Sequence, residues 1–174
     1  MDNLIDELST AIPRAFESED YERQKERIAR DISEQKQTEF SALEAAAKQR
    51  GFGLLRTSSG AGVAPMREGK PITPEEFEQL DSETRERLER EGREIQAELN
   101  ATLRSARRLD RSARERLQRL DREVAAFAIG PMFDELREAY GDFPAVVEYL
   151  DEARTNVLDS IDLFRQPQPS QPEM

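Results

Sequence analysis

Two long stretches of the sequence, residues 18–50 and 82–140, contain almost no residue that would stop a helix. Apolar side chains recur through both stretches mostly every three or four residues, which is the spacing of one helical face. Two long helices joined by a short segment predict an antiparallel pair. In the second helix, the apolar stripe expected to be buried follows a seven-residue repeat made of Leu99, Ala106, Ala113, Leu120 and Phe127.

Shorter helices are expected beside these two. Residues 2–12 have the pattern of an amphipathic helix, which Pro13 is expected to interrupt. A last helix is predicted to open at Pro144 and to continue to about Phe164. The predicted organisation is a basal helical bundle (1–17 and 118–165), an antiparallel coiled-coil arm (18–50 and 82–117), a small α/β tip (51–81) and a disordered Pro-rich tail (166–174).

The segment between the long helices begins with "GFGLLRTSSGAGVAPMREGKP". Two short apolar runs separated by a Gly/Ser turn predict a β-hairpin, and Pro65 places its second strand at a sheet edge. Thr73, Pro74 and Glu76 then have the spacing of a capped helix start. The predicted fold class is therefore mainly α: an elongated antiparallel coiled coil or helical bundle with a small β-hairpin-plus-helix tip.

The glycines of this segment do not form a nucleotide-binding loop. A phosphate-binding loop requires Gly, four residues and then Gly-Lys-Ser/Thr, whereas Gly62 is followed by Val63 and Ala64. A dinucleotide fingerprint fails as well, because Gly51-x-Gly53 continues with Leu-Leu-Arg. A turn is the favoured interpretation.

Composition excludes several classes of function. The chain has no cysteine and no histidine, so disulfides, the usual zinc sites and histidine-dependent catalysis are excluded. The net charge of -11 argues against nucleic acid or an anionic membrane as the main partner. No apolar run is long enough to span a bilayer, and no signal-peptide pattern is present, so the chain is expected neither to span nor to cross a membrane.

Paired carboxylates occur at Glu19-Asp20 and Glu75-Glu76. Both pairs lie at predicted helix starts, where acidic side chains interact favourably with the helix dipole. Catalytic carboxylates would need a buried cleft that separates their pKa values, which the sequence does not indicate. We therefore expect no catalytic, metal-binding or cofactor-binding residue in this chain.

An arginine-rich run and the apolar residues of the tip are the two candidate binding features. The run is either a solvated face with ion pairs to residues 17–39 or a docking face for an acidic partner or subunit. The tip residues either form a small core or stay exposed and grip unfolded polypeptide by apolar contact and strand addition. The candidate docking residues are Arg104, Arg107, Arg108, Arg111 and Arg114, and the candidate substrate-binding residues are Phe52, Leu54, Leu55, Val63, Met66 and Phe77.

Three segments, in this order, resemble the Lon-related ATP-dependent proteases of the LonB/LonC type: "AIPRAFESEDYERQK", "RTSSGAGVAPMREGKPITPEEFEQL" and "LDREVAAFAIGPMFDELREAYGDFPAVVEYLDEARTNVLDSIDLF". The resemblance extends over about residues 2–165 and is to the helical insertion in the AAA+ module of that family. It implies a parent protein that is a hexameric, cytoplasmic, ATP-dependent serine protease. This chain has neither the P-loop nor the Ser-Lys dyad of the family, so no ATP-contacting or catalytic residue carries over.

Together these observations predict a chain that is not an enzyme alone. The resemblance implies an arm that captures unfolded protein substrates at the chamber entrance, with the remaining AAA+ and protease domains of the parent as partners. ATP and Mg²⁺ would then belong to the parent. The alternative is a structural coiled-coil module that assembles subunits without touching substrate.

Overall fold

The computed structural model describes residues 2–165, except for the side chain of Asp2. The tail predicted at 166–174 lies outside the described residues. The helices and strands, in chain order, are α1 (Asp2–Phe16), α2 (Glu19–Gln49), β1 (Phe52–Thr57), β2 (Gly60–Arg67), β3 (Lys70–Pro71), α3 (Pro74–Glu78), α4 (Ser82–Ala139), α5 (Pro144–Asp159) and α6 (Ile161–Arg165).

The chain divides into two compact units. Unit 1 combines Met1–Ala29 with Ala113–Met174, and unit 2 is Arg30–Ser112. Each unit has its own cluster of buried apolar side chains. The mainly α fold with a small β-hairpin-plus-helix segment is confirmed, whereas the elongated form of the coiled coil and the division into base, arm and tip stay predictions.

In unit 1, α1 is longer than the sequence predicts. Pro13 was expected to end the helix, but α1 continues to Phe16. A proline inside a helix costs one backbone hydrogen bond, typically about 3 kcal/mol. Ile12 and Phe16, on either side of it, are both buried in the unit 1 core. Their burial offsets that cost and holds the last turn.

One polar cluster connects four helices of unit 1. The Tyr21 hydroxyl donates to one oxygen of Asp121 at 2.6 Å, and Arg165 donates to the other at 3.0 Å. The Arg165 guanidinium also lies over the Phe16 ring, 4.1 Å from its centroid, and the Phe16 and Tyr21 rings meet edge to face. The cluster therefore joins α1, α2, α4 and α6 around one carboxylate.

The last predicted helix is in fact two helices. The chain leaves helical geometry at Ser160, whose φ and ψ are -116° and 28°. The break places Ile161 in the unit 1 core and Arg165 against Phe16. A single helix to Phe164 was therefore the wrong prediction, because tertiary contacts after residue 160 outweigh the local helical pattern.

The seven-residue stripe predicted on α4 is wrong at its end. Phe127 is 87% exposed, while Ala125, Ile129 and Phe133 are buried. At about 100° per residue, Phe127 lies about 160° around α4 from both Ala125 and Ile129. Because those two residues enter the unit 1 core, Phe127 points away from it.

In unit 2, the later part of α2 and the earlier part of α4 run antiparallel. Arg50, after the end of α2, pairs with Glu94 early in α4, and Lys36 pairs at 2.8 Å with the later Asp110. Leu43 and Ala47 of α2 are buried in one cluster with Ile95 and Leu99 of α4.

The three strands of unit 2 form an antiparallel sheet in the order β1-β2-β3. The prediction that Pro65 confines β2 to an edge is therefore wrong, because β2 is the central strand. Ile72 donates its N–H to the Pro65 carbonyl, and Pro65 has no N–H with which to return the bond. The hydrogen bond that Pro65 cannot donate would face β3, which is only two residues long.

Helices α3 and α4 begin at side-chain caps. The Thr73 hydroxyl accepts from the Glu76 backbone N–H at 3.2 Å, as the sequence predicts. The Asp81 carboxylate accepts from both the N–H and the hydroxyl of Thr84, and these bonds lower its pKa. Among residues 2–165, no helix is both long enough and apolar enough to cross a membrane.

Tyr21→Phe removes the hydroxyl that donates a hydrogen bond to Asp121. We expect it to lower the free energy of unfolding at neutral pH by about 1.5–3 kcal/mol, the usual range for a hydrogen bond to a charged group. Burial, followed by the bond to Asp121, raises the pKa of Tyr21 to about 12. A tyrosine in the unfolded chain has a pKa of about 10. The contribution of the hydrogen bond to stability is therefore complete below about pH 10 and is lost as the pH rises towards 12.

Urea unfolding of the native chain and the variant, followed by circular dichroism at neutral pH and through the alkaline range, measures this difference. The stability gap should shrink with rising pH. A gap that is constant across the alkaline range would contradict the Tyr21–Asp121 assignment.

Gly92 of α4 provides a second test. A Cβ at Gly92 would lie 3.3 Å from the Phe52 ring. An unobstructed Gly→Ala substitution inside a helix gains about 0.5–1 kcal/mol through helix propensity. Gly92→Ala should gain nothing, because the buried Phe52 ring must move. A full gain in urea unfolding would show that Phe52 does not pack on the backbone of α4.

Candidate functional site

The pleat of the sheet sorts by face the five predicted tip residues that lie in its strands. Phe52 and Leu54 alternate with Gly53 and Leu55 along β1, and the register places Leu54 opposite Val63. Phe52 is 3% exposed, and both Leu54 and Val63 pack against the cluster that contains it. These three residues form the inner face, and we do not assign a binding role to the core residue Phe52.

The opposite face of the sheet carries Leu55 and Met66. Both are half-buried, and neither belongs to the unit 2 core cluster. A Cβ at Gly53 would lie 2.9 Å from Met66 Cγ, so the methionine side chain lies across the glycine on this face. We call Leu55, Gly53 and Met66 the outer face.

A cleft of about 500 Å³ opens between the sheet, α3 and α4. The structure brings Val63 and Phe77 together here with Phe52 at the inner wall. Leu54, Leu55 and Met66 are not part of its lining. The predicted tip residues therefore separate into three that line the cleft, two on the outer face and Leu54, which packs against the core.

Leu88 and Gly92 are among the residues of this cleft that the sequence prediction missed. Both lie on α4, in a segment predicted to be part of the coiled-coil arm. Gly92 is the sequence signal that could have indicated this contact. A glycine inside a long helix weakens the helix, so its presence there indicates that another group packs against the backbone. Here that group is the Phe52 ring.

Strand β1 presents an unpaired backbone edge in the described part of the sheet. Met66 donates its N–H to the Gly51 carbonyl at 2.8 Å, and hydrogen-bonded pairs alternate along an antiparallel ladder. Residues 53, 55 and 57 therefore bond towards β2. The N–H and C=O groups of Phe52, Leu54 and Arg56 point to the outer edge, where another extended chain could pair.

The predicted docking residues all lie on α4. Arg104, Arg107, Arg108, Arg111 and Arg114 are all exposed. The neighbouring Asp110 is paired with Lys36 of α2 rather than with one of them in the contacts that are resolved. The run therefore presents positive charge to solvent.

The acidic pairs take the positions expected for structural roles. Glu19-Asp20 lies in the first turn of α2, and Glu75-Glu76 in the first turn of α3. Within residues 2–165, no group of three acidic side chains is arranged to hold a metal ion.

Comparison of the chain with protein-family models, with curated proteins and with solved structures finds no match. The function must therefore be argued from the surfaces themselves. The outer face, the cleft and the open edge of β1 are suited to apolar contact and backbone hydrogen bonding.

Leu54 and Leu55 provide a test of the two faces. Leu54→Ser should destabilise unit 2 by about 2–3 kcal/mol, because it places a hydroxyl against the core in place of a leucine. Leu55→Ser should cost less than about 1 kcal/mol, because Leu55 lies outside the core cluster. Amide hydrogen exchange of β1 and β2 would measure both. Equal loss of protection would show that the sheet is packed on both faces.

Proposed function

We propose that this chain is the non-catalytic substrate-recognition and gating arm of a Lon-like ATP-dependent protease, and that it captures unfolded polypeptide. The proposal rests on the resemblance of three ordered segments to that family. The observation that carries it is the open backbone edge of β1 beside an apolar outer face.

Such a surface suits a partner that has no fixed sequence. Backbone hydrogen bonds along an edge strand do not depend on side chains, so they can hold any extended segment. Leu55 and Met66 add apolar contact, and a methionine adapts its shape to different side chains. Unfolded polypeptide has both an unpaired backbone and exposed apolar groups.

The resemblance supplies the context of the proposal. The partners would be unfolded substrates and the remaining AAA+ and protease domains of a hexameric parent in the cytoplasm. ATP and Mg²⁺ would act in the parent and not in this chain. Neither nucleic acid nor a membrane is a proposed partner, since the net charge is -11.

A structural module that assembles subunits without contacting substrate is the second candidate function. The exposed arginines of α4 favour it, because a row of five guanidinium groups fits an acidic surface of a neighbouring subunit. Under this function, the outer face would be packed against another domain and would not contact substrate.

Binding of a fluorescent, reduced and alkylated protein that cannot refold would test the proposal. The native chain should bind it, and a Leu55→Ser/Met66→Ser variant should bind about tenfold more weakly, because two apolar contacts are lost. Arg56→Pro removes an N–H that points to the open edge and leaves the bonds to β2 in place, so it should weaken binding as well.

Leu163→Ser is the matched control, because Leu163 is 70% exposed but lies on α6 in unit 1. Circular dichroism would confirm that each variant keeps its helices. Absence of binding by the native chain would overturn substrate capture and leave assembly. Equal weakening by the control would show that any exposed apolar residue suffices.

A further inference from the structure

A groove on unit 1 contains the most exposed aromatic side chain among the described large apolar residues. It has a volume of about 1050 Å³ and lies between α1, the start of α2 and the last third of α4. Phe127 stands on its wall with 87% of its surface exposed. Val124 and Met132 of α4 and Ala11 and Ala15 of α1 supply further apolar lining.

The groove exposes apolar surface that the core of unit 1 does not bury. Phe127 is not part of the unit 1 core. The residues of α4 that are buried in this core are Leu120, Ala125, Ile129 and Phe133. Exposure of a large aromatic side chain to water is unfavourable in free energy, and exposed groups of this kind concentrate at binding surfaces.

The charges around the groove define the chemistry of its occupant. Asp6 and Glu7 line it from α1, Asp20 from α2 and Glu123 from α4, while Arg14 is the one basic side chain among the lining residues that are described. A partner must therefore combine an apolar stripe with basic side chains. The chain's own residues 166–174 do not qualify, because they include no lysine or arginine.

The shape of the groove favours a helix over an extended chain. Its walls are faces of α1 and α4, with small alanine side chains that allow another helix to approach closely. An amphipathic helix places apolar side chains at positions i, i+3 or i+4, and i+7 into such a groove. We propose that this groove binds a basic amphipathic helix of a protein partner, with Phe127 as its central contact.

The test uses the full chain and a synthetic helical peptide of leucines and lysines, with the leucines on one face. A peptide of the same composition in scrambled order and one with glutamates in place of the lysines serve as probe controls. We expect the amphipathic lysine peptide to bind more tightly than both by fluorescence anisotropy. Its affinity should also fall as salt is added, because exposed charges are screened.

Two variants and two matched controls localise the site. Phe127→Ala should weaken binding about tenfold or more, whereas Tyr149→Ala, which removes an exposed aromatic of α5, should change it less than about twofold. The Glu7→Lys/Glu123→Lys variant should weaken binding similarly, because it reverses two rim charges. Glu135→Lys/Glu138→Lys makes the same change in net charge at exposed positions outside the groove lining and should have little effect.

Three results would overturn the proposal. The first is equal affinity for the ordered and the scrambled peptide. The second is equal weakening by the groove variants and their controls. The third is concentration-dependent self-association of the native chain that Phe127→Ala abolishes, because the occupant would then be a second copy. Circular dichroism of each variant would show that α4 remains folded, so that a loss of binding reports the groove.

Discussion

The narrow apolar stripe of α2 is the constraint on which both units depend. Most residues of this helix are polar, so it can contribute only a few side chains to any core. Tyr21 is buried in unit 1, and Leu43 and Ala47 are buried in unit 2. Because each core is small, directional contacts matter more than they would in a large one. The Asp121 carboxylate illustrates this, since it holds Tyr21 and Arg165 together at the rim of the unit 1 core.

The pleat of β1 gives one short segment two different tasks. Phe52 and Leu54 point inward and fix the sheet on α4, where Gly92 leaves room for the Phe52 ring. Gly53 and Leu55 point outward, next to Met66. Because alternate residues of β1 lie in the core and on the outer face, the effect of a substitution on one face can be measured separately from that of a substitution on the other. The strand position of an apolar residue in β1 therefore decides whether it packs in the core or lies on the outer face.

Local signals predicted the elements, and tertiary packing decided where they end. The start of α3 at Thr73 and the end of α2 before Gly51 follow from capping chemistry, which depends on a few neighbouring residues. Pro13, Ser160 and Phe127 were predicted wrongly because their outcome depends on partners far away in the sequence. The core holds α1 beyond Pro13, and the packing of Ala125 and Ile129 into that core turns Phe127 outward. The outer face and the groove could not be predicted, since both require the register of the sheet and the rotation of α4.

The two proposed recognition surfaces, the edge of β1 and the groove beside Phe127, differ in the kind of partner that each can select. The edge of β1 offers backbone groups, which every extended chain can satisfy, so selectivity there must come from whether a partner is unfolded. The groove beside Phe127 offers an aromatic anchor within an acidic rim, which discriminates by charge and by helical pattern. They belong to different units and use different chemistry. Under the two proposals, the edge of β1 would select an extended backbone, and the groove would select a basic amphipathic helix.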